Sequence, residues 1–172
     1  MKKNEFRVLV SIIALILSLG VFLAAFYFYE EWGIKKPLDN QIKTVELVQK
    51  VNINEQGKKY EIKVYLNKSS DIQKSYIEIV KAIESKLGAR EYQLVIKDQR
   101  NTSLQKLFSQ LQPAVYESLA NNKYIWLNEE IARQAEKRNM KHNIFIDGEH
   151  LFIQIYDGNH FLYEIINRQE IK

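Results

Sequence analysis

The stretch IDGEHLFIQIYDGNH, residues 146–160, contains the phrase Asp-Gly-x-His twice, at 147–150 and again at 157–160. Asp-Gly flanked by alternating apolar residues is a strong hairpin pattern, because glycine adopts the positive φ that tight turns between strands need. We therefore predict a turn at each phrase and one short strand between them. The faces of that strand hold Leu151, Ile153 and Ile155 on one side and Phe152, Gln154 and Tyr156 on the other.

The same phrases also suggest a metal site, since each supplies an aspartate and a histidine. The intervening strand, at ~3.3 Å per residue, would place His150 and His160 on the order of 20 Å apart. One ion with ligand bonds near ~2 Å cannot reach both phrases, and the two ligands of a single phrase seldom hold a metal alone. We expect neither a metal ion nor another cofactor.

Outward from this stretch, period-two alternation predicts strands and apolar residues at helical spacing predict helices. The expected strands are 60–66, 92–96, 143–146, 151–156 and 161–166. The expected helices are 72–87, 104–119 with a kink around Pro113, and 128–138. Capping boxes are expected at Ser70 with Gln73 and at Thr102 with Gln105, and Gly88 is expected to end the first helix. Residues 41–50 fit either a strand or a helix, and we favour a strand in the later half.

This order of elements predicts an α+β domain of two layers. The strand–helix–strand unit at 60–96 favours a right-handed crossover with parallel pairing. We expect a mixed β-sheet with helices packed on one face, followed by a C-terminal three-stranded antiparallel meander around the two Asp-Gly turns.

Residues 8–29 contain no charged side chain. A helix over this range spans about 33 Å, which matches a bilayer core of ~30 Å, and no small-x-small cleavage site follows it. We predict a basic tail at 1–7, an uncleaved transmembrane signal anchor at 8–29, a juxtamembrane linker at 30–40 and a soluble domain at 41–172. The clustered aromatic residues 26–29 and Trp32 are typical of a membrane interface.

Orientation follows from the basic residues beside the anchor. Lys2, Lys3 and Arg7 precede it, while basic residues of 35–43 follow it, so the bias is small. The positive-inside rule favours a cytoplasmic N-terminus and an extracytoplasmic domain in a single-pass protein of the cell membrane.

One face of the anchor is lined by small residues, which let membrane helices approach closely. This face is a candidate helix–helix contact, although small residues are common in any spanning helix. Its members are Ser11, Ala14, Ser18 and Ala25, with Val21 between the last two.

Composition excludes several functional classes. The chain has no cysteine, which rules out disulfides, thiolate zinc sites and a cysteine nucleophile. Its net charge is +4, but beyond the anchor acidic and basic residues are interspersed and nearly balanced, so we expect no nucleic-acid binding. Phosphate loops, nucleophile elbows and HExxH pairs are absent from the sequence, and we name no catalytic residue.

The segment KDQRN, Lys97 to Asn101, follows a predicted strand and precedes a predicted helix. Loops at this position often bind ligands, so Asp98, Arg100 and Asn101 are the candidate ligand-binding residues. The alternative is a solvated connection whose polar groups cap the next helix.

The anchor, the balanced surface and the absence of a catalytic pattern predict a membrane-anchored bacterial envelope protein with a non-enzymatic protein-interaction or scaffold domain. We expect the lipid bilayer as a partner through 8–29, together with a protein partner or a second copy of the chain. The alternative is a membrane-anchored hydrolase or small-ligand-binding module that uses 97–101. A third reading places the domain in the cytoplasm as a tethered regulator.

Overall fold

The computed structural model describes residues 3–57, 59–69 and 71–169. Lys2 and Ser70, both named above, lie outside the described residues. The N-terminal helix α1 spans Lys3–Phe28 and continues through a π-helical segment, Tyr29–Lys35, into α2, Lys36–Lys43. The run Arg7–Lys43 is one helix of 37 residues, and its apolar part is long enough to cross a membrane and has no buried residue.

The segment 30–40, expected to be a linker, is helical instead. Ile34, Leu38 and Ile42 lie at intervals of four and form one apolar stripe, and all three are buried in the core of the domain. The burial of this stripe explains why the helix continues beyond the aromatic cluster. Within 41–50, the helix ends at Lys43 and a strand begins at Val48, so the strand expected in the later half is confirmed.

Sheet A contains β1 (Val48–Gln56), β2 (Lys59–Leu66) and β3 (Tyr92–Lys97) in that order. β1 and β2 pair antiparallel, whereas β2 and β3 pair parallel, so the sheet is mixed as expected. The crossover helix α3, Ile72–Leu87, begins with Asp71, whose carboxylate accepts the backbone N–H of Lys74 at 3.0 Å. Gly88, at φ 58°, ends it as predicted.

Two further helices follow, α4 (Thr102–Asn121) and α5 (Tyr124–Glu136). α4 is capped one residue earlier than the capping box predicted, because Asn101 rather than Thr102 accepts the N–H of Leu104, at 2.9 Å. Pro113 lies inside α4.

Sheet B is the expected meander, formed by β4 (Lys141–Ile146), β5 (His150–Asp157) and β6 (His160–Asn167) with antiparallel pairing throughout. The two predicted faces of β5 are confirmed, and each lies in a different hydrophobic cluster. Phe152 and Tyr156 pack with sheet A, α2 and α3. Leu151, Ile153 and Ile155 pack with α4 and α5. The domain is therefore α+β, with a mixed sheet and a separate antiparallel sheet.

Sheets A and B meet edge to edge at one end. An isolated antiparallel bridge joins Gln99, just after β3, to Phe161 in β6, and the N–H of Phe161 donates to the carbonyl of Gln99 at 3.3 Å. Beyond this bridge β3 and β6 are not paired with each other along their described lengths. The result is an open seam between the two sheets.

Candidate functional site

The doubled Asp-Gly phrase forms two turns at opposite ends of β5, as predicted, but by different means. In the second turn Asp157 pairs with His160 around a two-residue loop, and Gly158 has φ 58°, the arrangement of a type II′ hairpin. Gly148 in the first turn has no positive φ. Here the Asp147 carboxylate accepts the backbone N–H groups of Glu149 and His150 at 2.8 and 2.7 Å.

These bonds account for the electrostatics of the first turn. Burial alone would raise the pKa of Asp147, but hydrogen bonds from the two backbone N–H groups and from the Gln73 side chain, together with the nearby His150, lower the pKa overall. Asp147 also lies 3.7 Å from the ring of His150. In the second turn Asp157 accepts a hydrogen bond from the Asn101 side chain at 2.7 Å. Across the described residues, no three His, Asp or Glu side chains come together as a metal-binding group.

Of the candidate residues in the Lys97–Asn101 loop, Asp98 and Arg100 contact β6, whereas Asn101 contacts Asp157 at the end of β5. Arg100 forms a two-point contact with the Asp98 carboxylate, with Nε to Oδ1 at 2.9 Å and Nη2 to Oδ2 at 2.6 Å, and its Nη1 donates to Glu164 at 2.7 Å. The hydrogen bonds to Asp98 raise the pKa of Arg100 above its usual range. Burial raises the pKa of Glu164, although Arg100 opposes this effect.

The same loop also forms hydrogen bonds with the backbone of β6. Asp98 accepts the N–H of Tyr163 at 2.8 Å, and Arg100 donates to the carbonyl of Tyr163 at 3.3 Å. Asn101 caps α4 and holds Asp157. The cap on α4 fits the alternative of a solvated connection whose polar groups cap the next helix, whereas the contacts of Asp98 and Arg100 with β6 go beyond it. Ligand binding by Asp98, Arg100 and Asn101 stays a prediction.

A cavity of about 410 Å³ lies in the open seam beside Arg100. One wall is β3, through residues 94–96, and the other is β6, through residues 163–165 and Asn167. Tyr76 of α3 and His150 of β5 also line it; their rings pack edge to face at a centroid distance of 5.2 Å. We call this cavity the seam cleft. Sequence reasoning missed it, because period-two alternation locates strands but does not say which strands become neighbours.

A second group of polar residues lies where the N-terminal helix enters the domain. Tyr60 donates to Glu30 at 2.6 Å and accepts from Arg90 at 2.9 Å, while Arg90 is 3.5 Å from Glu30. Glu30 is 8% exposed, which is unusual for a carboxylate unless it is paired. Burial, together with the hydrogen bond to Glu30, raises the pKa of Tyr60 to about 12. This Glu30 cluster ties the helix to sheet A.

The small residues of the N-terminal helix are exposed along its surface. The hydroxyl of Ser11 donates to the carbonyl of Arg7 at 3.0 Å, and that of Ser18 donates to the carbonyl of Leu15 at 2.9 Å. Both hydroxyls are therefore satisfied within the helix itself. A helix–helix contact through Ser11, Ala14, Ser18 and Ala25 stays a prediction.

Neither a family model, nor a curated protein, nor a solved structure matches the chain.

Proposed function

We propose that the chain is a single-pass membrane protein of the bacterial cell envelope whose domain is a non-enzymatic protein-interaction or scaffold module. In this proposal residues 8–29 are an uncleaved signal anchor, the N-terminus is cytoplasmic and the domain is extracytoplasmic. The lipid bilayer is the first partner, and a second protein or a second copy of the chain is the other.

The supporting observation is the continuity of the helix from Arg7 to Lys43. Its first part is exposed on all sides and apolar, whereas Leu38 and Ile42 in its last part are fully buried in the core. The Glu30 cluster adds a second attachment, through Tyr60 of β2 and Arg90. A domain held in this way has a fixed height and orientation at the membrane, which suits a scaffold that presents one surface to a neighbour.

Aromatic residues at the junction support this placement. Residues 26–29 and Trp32 are exposed, and Lys36 lies over the Trp32 ring with Nζ 3.4 Å from its centroid. Aromatic rings and snorkelling lysines are enriched at the boundary between lipid and water. The boundary would then lie at the π-helical segment, immediately before the buried stripe of α2.

Topology is tested with C-terminal fusions to alkaline phosphatase and to green fluorescent protein. Phosphatase activity without fluorescence is expected, since the phosphatase folds only outside the cytoplasm. The opposite pattern would move the domain to the cytoplasm and support a tethered regulator instead.

Partner binding is tested by cross-linking the full chain in native membranes and purifying it. A second protein in stoichiometric amount, or a cross-linked dimer, is expected. The matched control replaces 8–29 by a polyleucine span, which keeps the anchor but removes the small-residue face. Partner loss in this control assigns the contact to the helix, and retention assigns it to the domain. Recovery of the uncross-linked chain alone would contradict the proposal.

One observation favours a second candidate, a membrane-anchored hydrolase or small-ligand module that uses 97–101. Arg100 lines the seam cleft together with Glu164 and His150, so a cation, a carboxylate and an imidazole face one cavity. Screening the full chain against envelope substrates, with Asp98→Ala as the comparison, tests this candidate. Turnover that the substitution abolishes, in a variant that unfolds as native does, would favour it over the scaffold.

A further inference from the structure

The wall of the seam cleft formed by β3 is a free strand edge. In the parallel ladder the N–H of Tyr60 donates to the carbonyl of Glu91 at 2.9 Å, which sets the phase of the pairing between β2 and β3. Backbone groups alternate in direction along a strand, so the N–H and C=O groups of Gln93 and Val95 point toward β2. The N–H and C=O groups of Leu94 and Ile96 therefore point away from sheet A and into the cleft.

The opposite wall, β6, is also a free edge. Asp157 and His160 close the two-residue hairpin, so from His160 onward every second residue bonds to β5 and the others face outward. The outward phase is confirmed by Phe161, which donates to Gln99, and by Tyr163, which donates to Asp98. By the same alternation the backbone groups of Ile165 and Asn167 point into the cleft.

These two edges face each other without bonding. Among the described residues no hydrogen bond joins the backbones of Leu94 or Ile96 to those of Ile165 or Asn167. Each wall thus offers donors and acceptors at the two-residue spacing of a strand. An extended polypeptide backbone has the matching groups on both of its sides, and an edge with such groups is a template for strand addition.

We propose that an extended segment of a partner protein inserts as a strand between β3 and β6 and joins the two sheets into one. This inference rests on the proposed protein-binding function and names its site and the form of its partner. The bridge between Gln99 and Phe161 closes one end of the cleft. Because β3 and β6 run antiparallel at that bridge, the inserted strand is parallel to one wall and antiparallel to the other.

Charge and burial specify the partner further. The carboxylate of Glu164 lines the closed end and is partly exposed, while the guanidinium of Arg100 that pairs with it is shared with the buried carboxylate of Asp98. The pair of carboxylates outweighs the one guanidinium, so a lysine or arginine of the partner beside Glu164 complements this end. The other side chains around the cleft include Tyr76, Leu94 and Ile165, which are half-buried and packed against the core. They suit an apolar partner residue at every second position, as expected for a strand that buries one face.

The experiment uses the full chain in lipid nanodiscs and a phage-displayed library of random peptides of about seven residues, roughly the length of a strand. Selected peptides should carry alternating apolar residues and a basic residue near one end. Adding a selected peptide should slow hydrogen exchange at the amides of Leu94, Ile96, Ile165 and Asn167. Exchange at Ile144 should not change, since its N–H faces away from β5 on the opposite edge of sheet B.

A matched pair of variants tests the mechanism. Ile165→Pro removes an N–H that faces the cleft without removing a bond to β5, and we expect peptide binding to weaken roughly tenfold or more. Ile144→Pro makes the same change on the opposite edge of the sheet and should bind peptide as the native chain does.

Several outcomes would overturn the inference. Binding that survives Ile165→Pro, or that protects none of the four amides, removes the strand-insertion site but leaves a protein-binding function intact. The same holds for a library that yields no peptide while native membranes yield a partner. If the library yields no peptide and native membranes yield no partner either, the proposed protein-binding function is contradicted as well. If hydrogen-exchange protection of the four amides rises with protein concentration in the absence of peptide, the inserted strand comes from a second copy of the chain and not from a partner protein.

Discussion

Sheet A and sheet B each contain three strands but bury them differently. In sheet B the central strand β5 is buried on both faces, by α3 and sheet A on one side and by α4 and α5 on the other. In sheet A the strand β2 alternates buried residues with half-buried ones, and within the described part of the chain helices pack on only one face of this sheet. Sheet B is therefore the structural centre of the domain, while sheet A connects that centre to the N-terminal helix.

The largest difference between the two sheets is expected on removing a large side chain from β5. Phe152 is fully buried, and its ring packs 5.6 Å from that of Tyr76. Phe152→Ala should lower the free energy of unfolding by about 3–5 kcal/mol, since it leaves a cavity between β5 and α3. Urea unfolding of the full chain in detergent micelles measures this. Lys63→Ala, on the open face of β2, is the control and should change stability by less than about 0.5 kcal/mol. Equal losses of stability in the two variants would contradict the difference in burial between the two sheets.

Attachment of the N-terminal helix to sheet A should weaken at alkaline pH. The pKa of Tyr60 is raised from 10.0 to about 12, so the folded state holds the phenolic proton more tightly than the unfolded chain does. The resulting stability is fully present below about pH 10 and is lost as the pH rises through about 12. Tyr60→Phe should lower stability at neutral pH by about 1–2 kcal/mol through the lost hydrogen bonds. It should also flatten the alkaline decline, as followed by urea midpoints between those pH values. An unchanged slope in Tyr60→Phe would rule out this role.

A smaller change in the free energy of unfolding, this time an increase, is expected for a substitution inside sheet B. Gln154 is fully buried, and its Oε1 has no hydrogen-bond partner among the described residues. Its Nε2 donates to the Ser69 carbonyl at 3.3 Å, which the Tyr156 hydroxyl also contacts. Gln154→Met should therefore raise the free energy of unfolding by about 1 kcal/mol, because relief of the buried acceptor exceeds the loss of one weak bond. Destabilisation in the same urea assay would indicate that Oε1 is satisfied in solution.

The smallest contrast separates the two Asp-Gly turns. Gly158 has φ 58°, so Gly158→Ala should cost about 1 kcal/mol. Gly148 has no positive φ and no heavy atom within 4 Å of an added Cβ. Gly148→Ala should therefore alter the thermal midpoint little. Equal shifts in the two variants would mean that both turns depend on glycine in the same way.

Much of the fold could be predicted because its strands and helices obey local patterns. Alternation over 151–156 gave both faces of β5, and the apolar stripe of 72–87 gave α3. The segment 30–40 was missed for an equally local reason: Gly33 and Pro37 resemble a linker in isolation. In the structure Pro37 lies directly after the π-helical segment, where the helix changes from π to α geometry, and the buried stripe holds the helix together.

Of the candidate site, the sequence located the polar loop Lys97–Asn101 but not its contacts. Asp98 and Arg100 reach Tyr163 and Glu164, residues more than sixty positions away. The Glu30 cluster likewise joins three separate segments of the chain. No local period encodes such contacts, because they depend on which edges and ends the packed layers bring together.

By itself, the sequence determined the apolar helix at 8–29, the two faces of β5 and the turns that bound it, since these follow from side-chain periodicity and from turn chemistry. Only the tertiary structure decided that α2 enters the core, that β3 and β6 become neighbours, and that their edges stay apart beyond Gln99. The physical reason is that hydrophobic burial selects the faces of elements but is indifferent to their order. Strand order follows from how α3 covers sheet A and one face of sheet B while α4 and α5 cover the other face.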